Sequence, residues 1–263
     1  MEVKNYIRFI VAYFKLNLST AMEYRMNFIV QVIFMALNNT LFILFWYFLF
    51  NYIDNVNGWG FESIMLLFAF GAMTYGILDF FFGNWKSLNT IIAEGSLDFY
   101  LTLPKNELLH SMISRSTFSG MGDILFAIGV FFLFAKVSLF NIGLFFLLSI
   151  LATIVLFSIN LLFQAMAFYF GNSEGISYSG LNFLLGVSTY PLSMFNNITK
   201  FILFFVIPVA FITNVPVMLL DNFSIKWLIG IILASVIIFI VSIIVYKIGL
   251  KKYESGNLVT IRV

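Results

Sequence analysis

Ile225–Tyr246 reads IKWLIGIILASVIIFIVSIIVY, with no charge between Lys226 and Lys247. A membrane-spanning helix needs about 20 predominantly apolar residues, and this run is the cleanest of its kind in the chain. Composition agrees with it. Of the 263 residues, 62% are hydrophobic and only 10% are charged, with a mean hydropathy of +1.02. Soluble domains carry about 25% charged residues. A chain this apolar would aggregate in water, whereas hydrocarbon solvates its side chains and leaves the backbone to bond internally in helices. The predicted fold class is all-α and integral to a membrane.

Working back from Ile225, the segment 199–220 is apolar but carries Pro208 and Pro216. Before it lie five further runs of spanning length: 176–198, broken by Pro191; 141–170; 116–135, with Asp123 near its start; 63–83, interrupted by Asp79; and 28–50. A polar stretch, 84–115, separates the second from the third. No internal repeat, low-complexity tract or long linker appears, so 1–263 reads as a single transmembrane domain. The N-terminus carries Lys4, Arg8, Lys15 and Arg25 and has no short apolar run before a small-residue cleavage site, so no cleaved signal peptide is predicted.

Seven apolar segments raise a question of parity, which charge resolves. Short loops rich in Lys and Arg stay in the cytoplasm. The N-terminal segment (Lys4, Arg8, Lys15, Arg25), the 84–115 loop (Lys86, Lys105, Arg115) and the C-terminal tail (Lys247, Lys251, Lys252, Arg262) hold eleven of the 14 basic residues. With all three inside, the number of crossings is even and both termini are cytoplasmic. Segment 199–220 is then the one that fails to cross, because each proline removes a backbone donor and breaks a helix. It is predicted to enter and return as a re-entrant helical hairpin before the last span. The residue before a proline avoids the helical region, so breaks are expected at Ile207 and Val215. Thr213 and Asn214 between them can bond freed backbone groups. Trp46, Trp59 and Trp227 are expected near the outer interface and Trp85 near the inner one.

In residues 1–25, Lys4, Arg8, Lys15 and Ser19 fall within about 60° of one another at about 100° per residue. That pattern suits an N-terminal interfacial amphipathic helix in the inner leaflet; a frayed, polar lead-in to the first span is the alternative. In the 84–115 loop, Leu97, Phe99, Tyr100, Leu101 and Leu103 lie among the acidic residues Glu94 and Asp98. Exposed apolar side chains there suit docking to a partner or the inner leaflet, or else packing against the protein's own interfacial face. Asp79 and Asp123 are either intramembrane functional acids or helix-end residues in the wet interface. Asn38 and Asn39 either line a pathway or join helices. Glu174 sits in a Gly/Ser loop where it can cap the fifth span, and His110 reads as a loop residue.

Other function classes are poorly supplied. The chain has no cysteine and a single histidine, which argues against disulfides and thiolate or His-based metal centres. A net charge of +2 with no basic block gives no reason to expect a nucleic-acid partner. There is no G-x-x-x-x-G-K-[ST] phosphate loop, and no nucleophile elbow or paired catalytic carboxylates, so the chain is not expected to be an enzyme. No cofactor is expected.

Four stretches, in order, resemble a known family. Glu94-Gly95-Ser96-Leu97-Asp98 followed by Leu103-Pro104 is similar to its cytoplasmic loop. Tyr190-Pro191 with Phe195 is similar to its motif after the fifth span. Ile207-Pro208-Val209-Ala210-Phe211-Ile212-Thr213-Asn214-Val215-Pro216 resembles the proline pair that follows, and Tyr253-Glu254-Ser255-Gly256-Asn257 its C-terminal tail. The family is that of the ABC-2-type ABC transporter permeases, in the group of six-span half-permease subunits. The resemblance implies a permease subunit in the cell membrane, usually exporting, that dimerises with a second copy or a sibling permease. It implies that a separate cytoplasmic ATPase hydrolyses ATP. It further implies that the 84–115 loop couples to that ATPase through Glu94, Gly95, Ser96, Leu97, Asp98, Leu101, Leu103 and Pro104. The N-terminal helix would approach the ATPase too. Tyr190, Pro191, Phe195, Pro208, Phe211 and Pro216 would build short re-entrant helices, an extracellular gate. The competing reading of the residues is a secondary transporter driven by an ion gradient, with Asp79 and Asp123 as proton sites; it usually comes with an internal repeat.

Overall fold

The computed structural model describes residues 2–254, with side chains from residue 5. Helix α1 (Glu2–Glu23) is followed at once by α2 (Arg25–Phe50), the two separated only at Tyr24 (φ −109°, ψ 51°). The N-terminal segment is thus a continuous helix, not a frayed lead-in. Then come α3 (Phe61–Phe81), three short helices α4 (Leu88–Ala93), α5 (Leu97–Leu101) and α6 (Glu107–Ile113), and α7 (Ser119–Phe134). The chain continues through α8 (Leu139–Gln164), α9 (Ala167–Phe170) and α10 (Glu174–Ser188), then α11 (Asn197–Phe201), α12 (Asn214–Asp221) and α13 (Ile225–Leu250). No strand is present among the described residues. The tail residues Ser255, Gly256, Asn257 and Arg262 and the Lys4 side chain lie outside the described part.

Among the described residues, four segments are long and apolar enough to cross a membrane: α2, α3, Leu139–Phe170 (α8 with α9) and α13. The chain is a multi-pass membrane protein. α7 and α10 are shorter, at 16 and 15 residues. The run 141–170 is not one helix: it breaks after Gln164, and α9 stops at Gly171, whose φ of +65° favours glycine. The run 176–198 is helical only as far as Ser188, because Pro191 cannot continue a helix and holds its predecessor out of it.

Glycine sets the spacing of the first helices. A Cβ at Gly76 would lie 2.7 Å from the Gly120 carbonyl oxygen, and one at Gly120 2.7 Å from that of Gly76, so α3 and α7 touch backbone to backbone. A Cβ at Gly122 would collide with the Val32 carbonyl oxygen, and α2 lies as close on α7. Small residues supply such contacts in membranes, where helices gain nothing hydrophobic by associating. α7 runs antiparallel along all of α3: the Thr117 amide donates to the Asp79 carbonyl at 2.8 Å, and Phe134 meets Phe61 with ring centroids 5.5 Å apart. α8 also packs on α3 and carries α13 and α10. The buried core centres on Phe70, Phe131 and Phe145, whose rings stack at 4.4–5.0 Å.

The bundle has two distinct ends. At one, α1, α4–α6 and α9 gather with the residues after α13: α1 lies on α6, and Phe168 meets both Tyr246 and Tyr253. Both ends of the described chain therefore lie at the α3–α7 loop end. The 51–60 loop marks the opposite end.

Candidate functional site

At the α3–α7 loop end, the sequence from Gly83 to Arg115 folds back on itself. The Gly83 amide donates to the Arg115 carbonyl at 2.8 Å, closing the loop at its base. Gly95 (φ +75°) turns the chain between α4 and α5, and the Asn106 carboxamide caps α6 through the Leu109 amide at 2.9 Å. This geometry divides the loop's apolar residues in two. Leu97, Leu108 and Met112 are buried in the protein itself, Leu97 completely. Phe99 is 60% and Leu101 43% exposed, and Glu94, Ser96 and Pro104 are exposed beside them. Gly95, Asp98 and Leu103 are half-buried. The loop is partly self-packed, as one reading of its sequence supposed, and partly unsheltered, as the other did.

Helix α1 is fastened to this loop by one stripe. The Lys105 ammonium sits over the Tyr6 and Phe9 rings, 4.5 and 5.6 Å from their centroids. Tyr13 meets His110 Nε2 at 2.6 Å, and the Asn17 carboxamide donates to the Ile113 carbonyl at 3.2 Å and to Ser116 Oγ at 3.1 Å. His110 is no loop residue. It is buried in α6, edge-on to Phe9, Tyr13 and Tyr100 at 4.9–5.1 Å, and burial pulls its imidazole below the usual value. From the other terminus, Tyr253 reaches Asp98: burial and that carboxylate push its hydroxyl up to about 12. Helices α5 and α6 thus touch both α1 and the residue Tyr253 that follows α13.

A buried polar girdle ties the loop to the bundle. Lys86 Nζ lies 2.9 Å from Asp79 Oδ1 and 3.0 Å from Oδ2, and donates to the Tyr75 hydroxyl at 2.9 Å. The Trp85 indole donates to Asp79 at 2.7 Å. From α8, Asn160 donates to the Trp85 carbonyl at 2.7 Å, and Gln164 accepts from the Asn89 amide at 2.8 Å. Burial disfavours the Lys86 ammonium, but Asp79 and Tyr75 outweigh it and the net shift is upward. Asp79 does lie in the last turn of α3, but it is not wet: it is 2% exposed and paired. Trp85 is 1% exposed and belongs to this girdle, not to an interfacial belt. Asp123, also 2% exposed, accepts from Asn39 at 2.6 Å, which makes Asn39 a link between α2 and α7. Trp46 is likewise buried, against Phe68 and Tyr190. Sequence alone offered only the types and rough depths of these groups. Their pairing depends on the loop turning back beneath α3.

Toward the opposite end, the proline-bearing segment 199–220 is divided into short helices. Asn57 donates to the Ser193 carbonyl at 3.4 Å, and Ser63 to Asp221 at 3.1 Å, so residues just before and just after the segment meet the 51–60 loop and the first turn of α3. Between them the Thr213 methyl comes within van der Waals reach of Gly71, about 15 Å into α3 at 1.5 Å per residue. Helix α11 passes into a π-helix, Ile202–Val206, that ends at extended Ile207 before Pro208. Val215 is not a break. Pro216 sits in the first turn of α12, where a missing N–H is tolerated, and the interruption falls at Thr213 (φ −133°). Thr213 and Asn214 do not serve their own segment. Thr213 donates to the Ser188 carbonyl, and Asn214 donates to the Tyr190 carbonyl at 3.2 Å and accepts from the Leu192 amide at 2.8 Å. They satisfy the groups freed where Pro191 stops α10. Pro191, Pro208, Phe211 and Pro216 are buried there, Phe195 is half-buried and Tyr190 is 44% exposed.

No metal-binding cluster of His, Asp or Glu exists among the described residues. The geometry is that of a helical bundle with a partly exposed apolar loop edge at one end and a proline-interrupted segment of short helices toward the other. No curated protein and no solved structure matches the chain. The sequence profile of the ABC-2 family transporter proteins does match, over residues 36–256, a stretch that takes in the girdle, the loop and the proline-bearing segment. A match of that extent settles the family: the chain belongs to the ABC-2 transporter family.

Proposed function

We propose that this chain is the permease subunit of an ABC transporter, that it exports its substrate, and that a separate cytoplasmic ATPase drives it. The observation that carries this reading is the unsheltered edge Phe99–Leu101 on a loop otherwise packed into the protein. A bare apolar edge beside exposed Glu94 fits a protein partner better than water, and α1 and Tyr253 are fastened to the same short helices. Push on α5 is transmitted through Trp85, Lys86 and Asp79 to α3 and through Asn160 and Gln164 to α8. ATP is hydrolysed in the partner; the chain itself supplies no phosphate loop. A second permease copy, or a sibling, completes the pathway along the exposed face of α2.

An ion-gradient reading has one observation in its favour. Asp123 Oδ2 has no partner and lies on a crevice shared by Asn39, Tyr75, Ser188 and Thr189. One experiment separates the two readings. In vesicles holding the chain and its ATPase, transport should need ATP and stop in a Phe99→Glu, Leu101→Glu double variant that inserts normally. Transport driven by a proton gradient without ATP, and indifferent to the double variant, would favour Asp123 chemistry instead.

In this reading the chain crosses the membrane six times, with α7 and α10 as the short crossings and both termini cytoplasmic. The even count is supported by the meeting of both chain ends at the α3–α7 loop end, and the crossing of α7 by its run along the whole of α3. Segment 199–220 is a re-entrant hairpin at the extracellular mouth, supported by the bonds that hold Ser193, shortly before it, to Asn57 and Asp221, just after it, to Ser63. Single cysteines at Ile198 and Asn222 should both react with an impermeant thiol reagent from outside; reaction from opposite sides would show a seventh crossing.

A further inference from the structure

At the α1–α2 elbow lies a cleft of about 360 Å³, walled by α1, the first turns of α2 and the turn that leads into α7. Its floor is fixed: Asn17 is already bonded to the 113–116 backbone and hydroxyl, and Phe28 packs edge-on to Phe118 at 5.4 Å. Its mouth is not. Arg115 is exposed and is the only charged residue among those lining the cleft; no carboxylate joins it there. Among the described residues it forms no ion pair, and the side chains of Asn27 and Gln31 beside it make no hydrogen bond.

We propose that this cleft binds the phosphate of an anionic phospholipid. A guanidinium and two carboxamides, all donors with nothing to donate to, match the unprotonated oxygens of a phosphodiester, which arginine takes in bidentate fashion. The location chooses among anions. Tyr24 marks where the chain turns into the span α2, so the cleft opens at the level of the headgroups, and Phe28 and Phe118 continue it on the apolar side. Basic pockets at that level between membrane helices recognise anionic headgroups. A zwitterionic choline headgroup would need a carboxylate for its ammonium, and none lines the cleft. Bound there, the lipid joins α1, α2 and α7, and so holds the elbow at the depth that α1 needs to rest on the loop. The assignment rests on the cleft and not on the transport reading.

The test uses the purified full-length chain in non-ionic detergent, titrated with dioleoylphosphatidylglycerol or dioleoylphosphatidylcholine and read by native mass spectrometry. Phosphatidylglycerol should bind about tenfold more tightly than phosphatidylcholine: both present the phosphate, but the choline ammonium would lie beside Arg115 with no carboxylate to pair with it. Arg115→Gln should remove the preference, and Asn27→Ala with Gln31→Ala, on a different element, should weaken it. Lys15→Gln, whose ammonium lies outside the cleft, should keep it. Equal binding of the two lipids, or equal loss in the Lys15 and Arg115 variants, would reduce the effect to general surface charge and overturn the site. Displacement of the lipid by excess inorganic phosphate would assign the cleft to a soluble anion and overturn the lipid.

Discussion

Leucine at Gly122 should leave almost no folded protein, whereas leucine at Gly129, seven residues further along the same helix, should be tolerated. The difference lies in what a side chain would meet. At Gly122 a first carbon already strikes the Val32 carbonyl oxygen and crowds the Met35 Cβ. At Gly129 there is nothing within 4 Å. Overpacking a core costs about 1–3 kcal/mol where side chains can shift. Here the obstruction is backbone, and α2 must part from α7 altogether, taking the Asn39–Asp123 bond with it. Gly76→Leu and Gly120→Leu should behave like Gly122→Leu, since each meets the other's carbonyl oxygen at 2.7 Å. Monodisperse protein recovered by size-exclusion chromatography is the readout. Equal recovery of the Gly122 and Gly129 variants would mean that the three helices do not touch at these points.

Loss of Asp79 should be the next most damaging change. Asp79→Leu strands the Lys86 ammonium and the Trp85 indole N–H with no carboxylate to meet them. Breaking one side of a buried pair costs about 3–5 kcal/mol, and the lower figure applies because the Lys86 side chain is 30% exposed. Lys86→Met alone should be milder, since Trp85 still donates to the carboxylate. Combining Asp79→Leu with Lys86→Met should recover most of the lost stability, because an apolar pair of similar volume often replaces a buried ion pair without penalty. Melting temperatures of the four proteins in one detergent check this. If the double variant melts where the two single losses add up to, Asp79 and Lys86 are not coupled and the girdle does not tie the loop to α3.

The spans legible in the sequence were those whose signal is local. Apolar runs gave the helices α2, α3 and α13 to within a few residues, and the basic residues of 84–115 singled out the loop on which both ends of the described chain gather. What escaped depends on contacts between distant residues. Nothing in the neighbourhood of Thr213 and Asn214 says that their side chains serve the end of α10, twenty-odd positions back; the proline that frees those groups is Pro191, not one of their own. Trp85 and Asp79 looked interfacial because depth was counted along straight helices. The chain instead turns at Phe82 and Gly83 and tucks Trp85 under α3 against Asn160. His110 looked like a loop residue because a seven-residue helix carries too little periodicity to register. Its aromatic surroundings come from Phe9 and Tyr13, about a hundred positions away. Even the fifth apolar run misled for a physical reason: hydropathy does not distinguish the α10 helix from the extended passage around Pro191 that follows it.

The central claim is that the edge formed by Phe99 and Leu101 docks on an ATPase. A photo-crosslinking phenylalanine analogue placed at position 99, and in a separate protein at position 139 at the opposite end of the bundle, tests it in intact cells. Leu139 is 88% exposed, so it is an equally accessible control. The prediction is a covalent adduct, from position 99 alone, to a chain that carries a nucleotide-binding phosphate loop, and its disappearance when Leu101 is changed to Glu. Adducts from position 99 only to lipid or to this chain itself, or the same ATPase adduct from position 139, would contradict it.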